Sequence, residues 1–144
     1  GVYQDKQGQL EDALNSFRKA ANIDPQWPLP WLKASTTLRK AGQMEDAVDA
    51  LENAYKLEPG NHQVRSNLAS AYASEGRLVE ARNLLEKLVV DYPYYLNGWF
   101  NLAMVEYRSG DLERARSALE SARQLRGLSA DQILKIDQLQ ALVN

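Results

Sequence analysis

Three observations on this 144-residue sequence predict an all-α fold of stacked helical hairpins. The first is a set of landmarks repeating every 34 residues: Gly8, Gly42, Gly76 and Gly110; Ala13, Ala47, Ala81 and Ala115; Phe17, Leu51, Leu85 and Leu119. Pro25, Pro59 and Pro93 extend the series with Gly127 in their next slot, and Trp31 and Trp99 stand two periods apart. The second is helical spacing between the landmarks. Val64, Leu68, Ala71 and Tyr72 form one apolar stripe, and Leu78, Ala81, Leu84, Leu85 and Leu88 form another. The third is punctuation, with glycine between the two stripes and proline after the second. A repeat of this length cannot bury its apolar face alone and must stack on its neighbours. The predicted class is therefore an α-α superhelix, a solenoid of helical hairpins with a C-terminal capping helix.

In chain order, residues 1–27 read as a truncated first repeat. Gly1–Gln7 falls on the second half of a first helix, and Gly1 takes the small-residue slot matched by Ser35, Ala69 and Ala103. A break is expected at Gly8, then a second helix over Leu10–Ile23 with Phe17 as its large filler. The sequence thus reads as a fragment that begins inside a repeat of a larger protein. The second repeat, 28–61, supplies helices over Pro28–Ala41 and Met44–Leu57. The third, 62–95, supplies Gln63–Glu75 and Leu78–Val90, and the fourth, 96–129, supplies Leu96–Ser109 and Leu112–Leu125. Glycine just past a helix takes a positive φ without a Cβ penalty. Pro93 cannot continue a helix and biases Tyr92 away from helical geometry. Small Ala69 and Ala81 allow close approach of two helices, while Tyr72 and Leu85 fill the space between them.

Ser129 with Gln132 three residues on is a capping box, opening a helix over residues 130–144. Ile133, Ile136, Leu139, Ala141, Leu142 and Val143 are its apolar positions, and Asp131, Lys135, Asp137, Gln138 and Gln140 lie between them. It reads as a cap that shields the end of the stack. The other reading is a helix that docks elsewhere or pairs with a second copy.

Trp31, Gly42, Ala47, Leu51, Ala54 and Pro59, echoed by Trp99, Leu102, Ala103, Gly110, Ala115, Leu119 and Ala122, resemble the tetratricopeptide repeat. Leu68, Ala69, Tyr72, Gly76, Ala81, Leu85 and Pro93 complete the signature. The resemblance spans essentially the whole chain and implies a right-handed stack whose first helices line a concave face. It speaks for an architecture more than for an activity. Four slots depart from it: Glu106 stands where tyrosine is usual, Tyr107 follows one place later, Arg65 replaces tryptophan, and Leu88 replaces a small residue.

Composition argues against several other functions. There is no cysteine and a single histidine, His62, at a helix start, so neither a zinc site nor a nucleophilic triad is supported. No G-x-x-x-x-G-K-[ST], G-x-G-x-x-G or G-x-S-x-G segment occurs. The pairs Glu11-Asp12 and Glu45-Asp46, with Glu80 and Glu113, are expected in the first turns of second helices, where negative charge suits the helix dipole. A net charge of −2 and a pI near 5.5 oppose nucleic-acid binding. No apolar run reaches the length of a membrane span, and cysteine-free composition fits cytoplasm and periplasm alike. The sequence implies no enzyme and no cofactor.

What remains is the groove implied by the resemblance. Register places Val2, Asp5 and Lys6 there, then Leu29, Leu32, Lys33, Thr36, Arg39 and Lys40. The third repeat offers Gln63, Ser66, Asn67, Ser70, Ala73 and Ser74. The fourth offers Asn97, Phe100, Asn101, Met104, Tyr107 and Arg108. Lys6, Lys33, Arg39, Lys40 and Arg108 against Asp5 alone give this surface +4, leaving −6 elsewhere in a chain of −2. Part of that bias is structural, because Lys6, Lys40 and Arg108 sit in last helical turns. Lys33, Arg39 and Arg108 would favour an acidic peptide or a terminal carboxylate. Asn67 and Asn101 share a slot, and their amides can both donate to and accept from an extended backbone. Phe100, Met104 and Tyr107 make an apolar strip for a partner side chain. Trp31 and Trp99 are expected to pack inside their repeats. Trp27, Tyr94 and Tyr95 lie in the links, either bridging repeats or standing as interface anchors. The expected role is a non-catalytic scaffold holding a partner protein or extended peptide. The alternatives are self-association through an open N-terminal end, or a substrate-recruiting arm of a larger enzyme or polysaccharide-export system.

Overall fold

The computed structural model describes residues 2–24 and 29–144, with side chains from Gly8 onward. Eight α-helices and no strand occur among the described residues. They divide into two compact halves, residues 1–75 and 76–144. The expectations on Val2, Asp5, Lys6, Pro25 and Trp27 lie outside the described side chains.

The first half holds α1 (Val2–Ile23), α2 (Leu29–Lys40), α3 (Met44–Leu57) and α4 (His62–Ser74), each packed on the next. Ala34, Leu38, Ala47 and Ala50 form a buried cluster between α2 and α3, with Leu14, Phe17, Trp31 and Met44 packed against it. Trp31 therefore lies inside its repeat, as the spacing predicts. Gly42 closes α2 with φ 80°: its N–H reaches the Arg39 carbonyl at 3.1 Å, and the Gln43 N–H reaches that of Leu38 at 2.9 Å. This double closure needs a left-handed residue, which glycine supplies. The Asn61 side chain caps α4 by accepting from the N–H groups of Gln63 and Val64.

One expectation fails here. α1 runs unbroken through Gly8, which does not take positive φ. Glycine inside a helix costs only about 0.5–1 kcal/mol relative to alanine. Glu11 and Asp12 consequently lie within α1 and not in a first turn, whereas Glu45-Asp46, Glu80 and Glu113 do open their helices.

The second half holds α5 (Leu78–Asp91), α6 (Leu96–Arg108), α7 (Leu112–Arg123) and α8 (Ala130–Val143), again packed in order, with α8 also touching α6. Ala81, Leu85, Leu88, Ala103, Ala115 and Leu119 are fully buried. Gly98 brings α6 close to α5, where an added Cβ would stand 3.2 Å from Val89 Cγ1. Gly110 repeats the closure seen at Gly42, with φ 86° and the Asp111 N–H on the Glu106 carbonyl at 2.9 Å.

The slot departure at position 106 has a definite cause. Glu106 is 2% exposed, and the Arg82 guanidinium grips its carboxylate from α5 through Nε at 2.5 Å and Nη2 at 3.3 Å. One period earlier the same slot holds Tyr72, whose hydroxyl donates to Glu52 on α3 at 2.9 Å. In the first case the carboxylate belongs to the repeat's first helix, and in the second to the helix it packs on.

α8 is held as a cap on the second half. The Ser129–Gln132 capping box is formed, and Ile136, Leu139 and Val143 are buried. The Arg116 Nε–H donates to the Val143 carbonyl at 2.9 Å, and Arg123 pairs with Asp137 at 2.6 Å. Ile133, Ala141 and Leu142, expected as apolar contacts, are exposed instead. The face offered by the preceding helices accommodates one stripe, and Ile136, Leu139 and Val143 take it.

At the start of α5 the Arg77 guanidinium donates to Glu80 at 2.8 and 2.5 Å. These hydrogen bonds, opposed by desolvation and aided to a lesser degree by the arginine charge, hold the Glu80 carboxyl below its ordinary range. A folded-state pKa below the unfolded one stabilises above the unfolded pKa, and that contribution disappears as pH falls through the folded pKa. A carboxyl-detected NMR titration should place Glu80 below the other surface glutamates, and Arg77→Ala should move it up. No change in that variant would contradict the assignment.

Candidate functional site

On α2, α4 and α6 one stripe faces outward with i, i+4, i+7, i+11 spacing, in the same register each time. On α2 it is Leu29, Lys33, Thr36 and Lys40; on α4, Gln63, Asn67, Ser70 and Ser74; on α6, Asn97, Asn101, Met104 and Arg108. Lys33, Thr36 and Lys40 are exposed and Arg39 beside them is half-buried. Asn67 and Ser70 are half-buried. Asn97, Met104 and Arg108 are exposed, with Phe100, Asn101 and Tyr107 half-buried on the same face.

α6 thus gathers six predicted site residues on one surface, because positions three and four apart are neighbours on a helix. The apolar strip Phe100, Met104 and Tyr107 runs alongside the polar strip. The α2 and α4 residues belong to the first half of the molecule and the α6 residues to the second.

Three predicted groove residues are instead core: Leu32, Ser66 and Ala73 are all buried. They sit beside the outward stripe; on α4 both flank positions are covered, and on α2 Leu32 is covered while Arg39 is half-buried. On α6 the matching positions Phe100 and Tyr107 stay half-open.

Hydrogen bonding sorts the polar groups further. The Thr36 hydroxyl donates to the Leu32 carbonyl at 3.1 Å, so its proton is already used within α2. The Asn97 amide donates to the Tyr95 hydroxyl at 3.3 Å. Asn67 has no side-chain hydrogen bond among the described residues, which leaves a donor and an acceptor at mid-stripe. Arg39, Lys40 and Arg108 occupy last turns, where their charge also complements the helix dipole.

Sequence reasoning missed a shared contact at the tryptophan slot. The Trp99 Nε1–H donates to the Pro93 carbonyl at 2.8 Å. Arg65, one period earlier, donates through Nε to the Pro59 carbonyl at 2.6 Å. Arginine thus reproduces the indole's hydrogen bond to the same backbone position. Trp99 is only half-buried and lines a cleft of about 400 Å³ with Tyr94 and Arg126. Tyr94 is 88% exposed.

Among the described residues no helix is long and apolar enough to cross a membrane, and no cluster of three or more His, Cys, Asp or Glu could hold a metal ion.

Models of the tetratricopeptide repeat match residues 1–26, 38–94 and 80–130. The chain belongs to the tetratricopeptide repeat family. No curated protein matches its sequence. Several solved structures are similar to this tetratricopeptide chain. MamA is 18% identical with a TM-score of 0.76, over 98% of this chain and 86% of that one. A thermophilic tetratricopeptide protein from Thermus thermophilus is 17% identical with a TM-score of 0.78, over 96% and 76%. The first tetratricopeptide domain of Spaghetti (RPAP3), bound to an HSP90 peptide, is 20% identical with a TM-score of 0.70, over 84% and 97%. These likenesses establish the fold as an all-α superhelix of helical hairpins. Tetratricopeptide folds are typically non-catalytic scaffolds for protein interaction, and this chain has that architecture.

Proposed function

We propose that this tetratricopeptide chain holds a partner protein on the outward stripes of its first helices, α2 and α4 in the first half and α6 in the second. The observation that carries the reading is the recurrence of one accessible stripe in one register on all three first helices. All of these positions are exposed or half-buried, so a partner can reach them. Asn67 and Asn101 grip peptide backbone; Lys33, Arg39, Lys40 and Arg108 favour acidic groups; Phe100, Met104 and Tyr107 take an apolar side chain. The Spaghetti domain, which shares this fold, carries the peptide SRMEEVD, whose own acidic residues fit the same preference.

A partner recovered by co-purification and reduced to a peptide on an array provides the test. Two lost backbone hydrogen bonds at about 0.5–1.5 kcal/mol each predict that Asn67→Ala with Asn101→Ala weakens binding roughly tenfold or more. Unchanged affinity in that double variant would reject the stripe as the contact surface.

A further inference from the structure

We propose that the cleft between the α5–α6 link and the end of α7 is a separate recognition site for an acidic peptide segment bearing an aromatic or aliphatic side chain. Pro93, Tyr94 and Trp99 form one wall, and Gln124, Leu125 and Arg126 the other. Its volume of about 400 Å³ falls within the range of roughly 300–1,000 Å³ typical of ligand pockets. Every lining residue lies in the second half of the molecule, and none belongs to the outward stripes. The inference therefore stands apart from the reading above.

Three features define the ligand. The first is an aromatic wall that folding does not explain. Tyr94 is 88% exposed, and its slot one period earlier holds Gly60. Leu125 and Arg126 likewise stand where the previous period has Asp91 and Tyr92. Stacking of repeats thus demands none of these three residue types. The second is the state of Trp99. Its indole N–H is already donated to the Pro93 carbonyl, so the ring offers an apolar face and no donor. A side chain lying against Tyr94 and Trp99 gains ring contact and buries apolar area.

The third feature is charge. Arg126 is the single charged residue on the lining, and no acidic side chain joins it. Among the described residues it makes no hydrogen bond or ion pair. In a chain of net charge −2 this is a local positive site beside an apolar pocket. A carboxylate next to the inserted side chain meets a guanidinium whose planar fork suits it. Tyrosine, tryptophan and arginine are also the residue types that dominate binding energy at protein interfaces.

The test uses the whole chain labelled with 15N and two N-acetylated, C-amidated tripeptides, Glu-Phe-Glu and Lys-Phe-Lys. The Trp99 indole N–H signal reports from inside the cleft. Glu-Phe-Glu should move it saturably, and Arg126→Glu and Tyr94→Ala should each weaken that binding at least tenfold. Both residues are exposed, so unchanged thermal melts will show that these variants remain folded. The Asn67→Ala, Asn101→Ala double variant should bind Glu-Phe-Glu as the parent does, which separates this site from the stripes. The proposal is overturned by a stationary Trp99 signal at millimolar peptide, by equal binding of Lys-Phe-Lys, or by undiminished binding in Arg126→Glu.

Discussion

Replacing Glu106 with alanine is expected to destabilise the protein by about 3–5 kcal/mol, because it strands the partly buried Arg82 guanidinium without its counter-charge. Arg82→Ala should cost a comparable amount by leaving a carboxylate that is 2% exposed with no cation. The two losses share one interaction, so a double-mutant cycle should be strongly non-additive. The informative variant changes both residues. Glu106→Tyr with Arg82→Val installs the residue types found one period earlier, at Tyr72 and Val48. A buried ion pair exchanged for well-packed apolar groups is often neutral or stabilising by about 1–4 kcal/mol. Urea unfolding of the parent, the two single alanine variants, their combination and the Tyr-Val double variant decides the matter. A loss below about 1 kcal/mol in both single variants would mean that the pair is solvated and not structural.

Leu119→Ala should cost about 2–5 kcal/mol, through lost transfer energy and the cavity left behind. Leu119 is fully buried on α7, in company with Ala115, Ala118 and Ala122. Leu119→Met, close in volume, should stay below about 1.5 kcal/mol. Hydrogen exchange should show the protection of α7 falling with that of its packing neighbours α6 and α8, since a repeat is stabilised through the elements it touches. An alanine variant that melts like the parent would remove Leu119 from the core.

The hairpin architecture was legible because its signals are local and chemically narrow. Gly42 and Gly110 mark helix ends in the sequence and close them in the structure, through a backbone conformation that other residues resist. Gly8 carries the same letter in the same slot and ends nothing. Glu106 was visible as a departure from the repeat pattern, but its partner lies on another helix. The available signal was a paired change across one period, from Val48 to Arg82 and from Tyr72 to Glu106.

The outward stripe was readable from register, as Lys33, Asn67, Asn101 and Met104 illustrate. Its edges were not. Leu32, Ser66 and Ala73 lie next to that stripe, and whether such a flank is covered depends on packing that one helix's sequence does not contain. The cleft beside Trp99 was beyond reach for a related reason. Tyr94, Leu125 and Arg126, which give it its chemistry, stand where the preceding period has Gly60, Asp91 and Tyr92, so the repeat pattern did not mark them.

The inverted polarity at positions 72 and 106 also bears on how this gene can be rearranged. Unequal crossing-over in a tandem array readily drops or duplicates a period, and identical repeats would tolerate it. Here, a splice seating α6 against α3 would set the Glu106 carboxylate beside Glu52, the acceptor of the Tyr72 hydroxyl, and away from Arg82. The converse splice would offer Arg82 a phenol in place of its anion. The order of these two hairpins is written into the sign of a single buried contact, so a chain that miscounts its own repeats is penalised at the moment it folds.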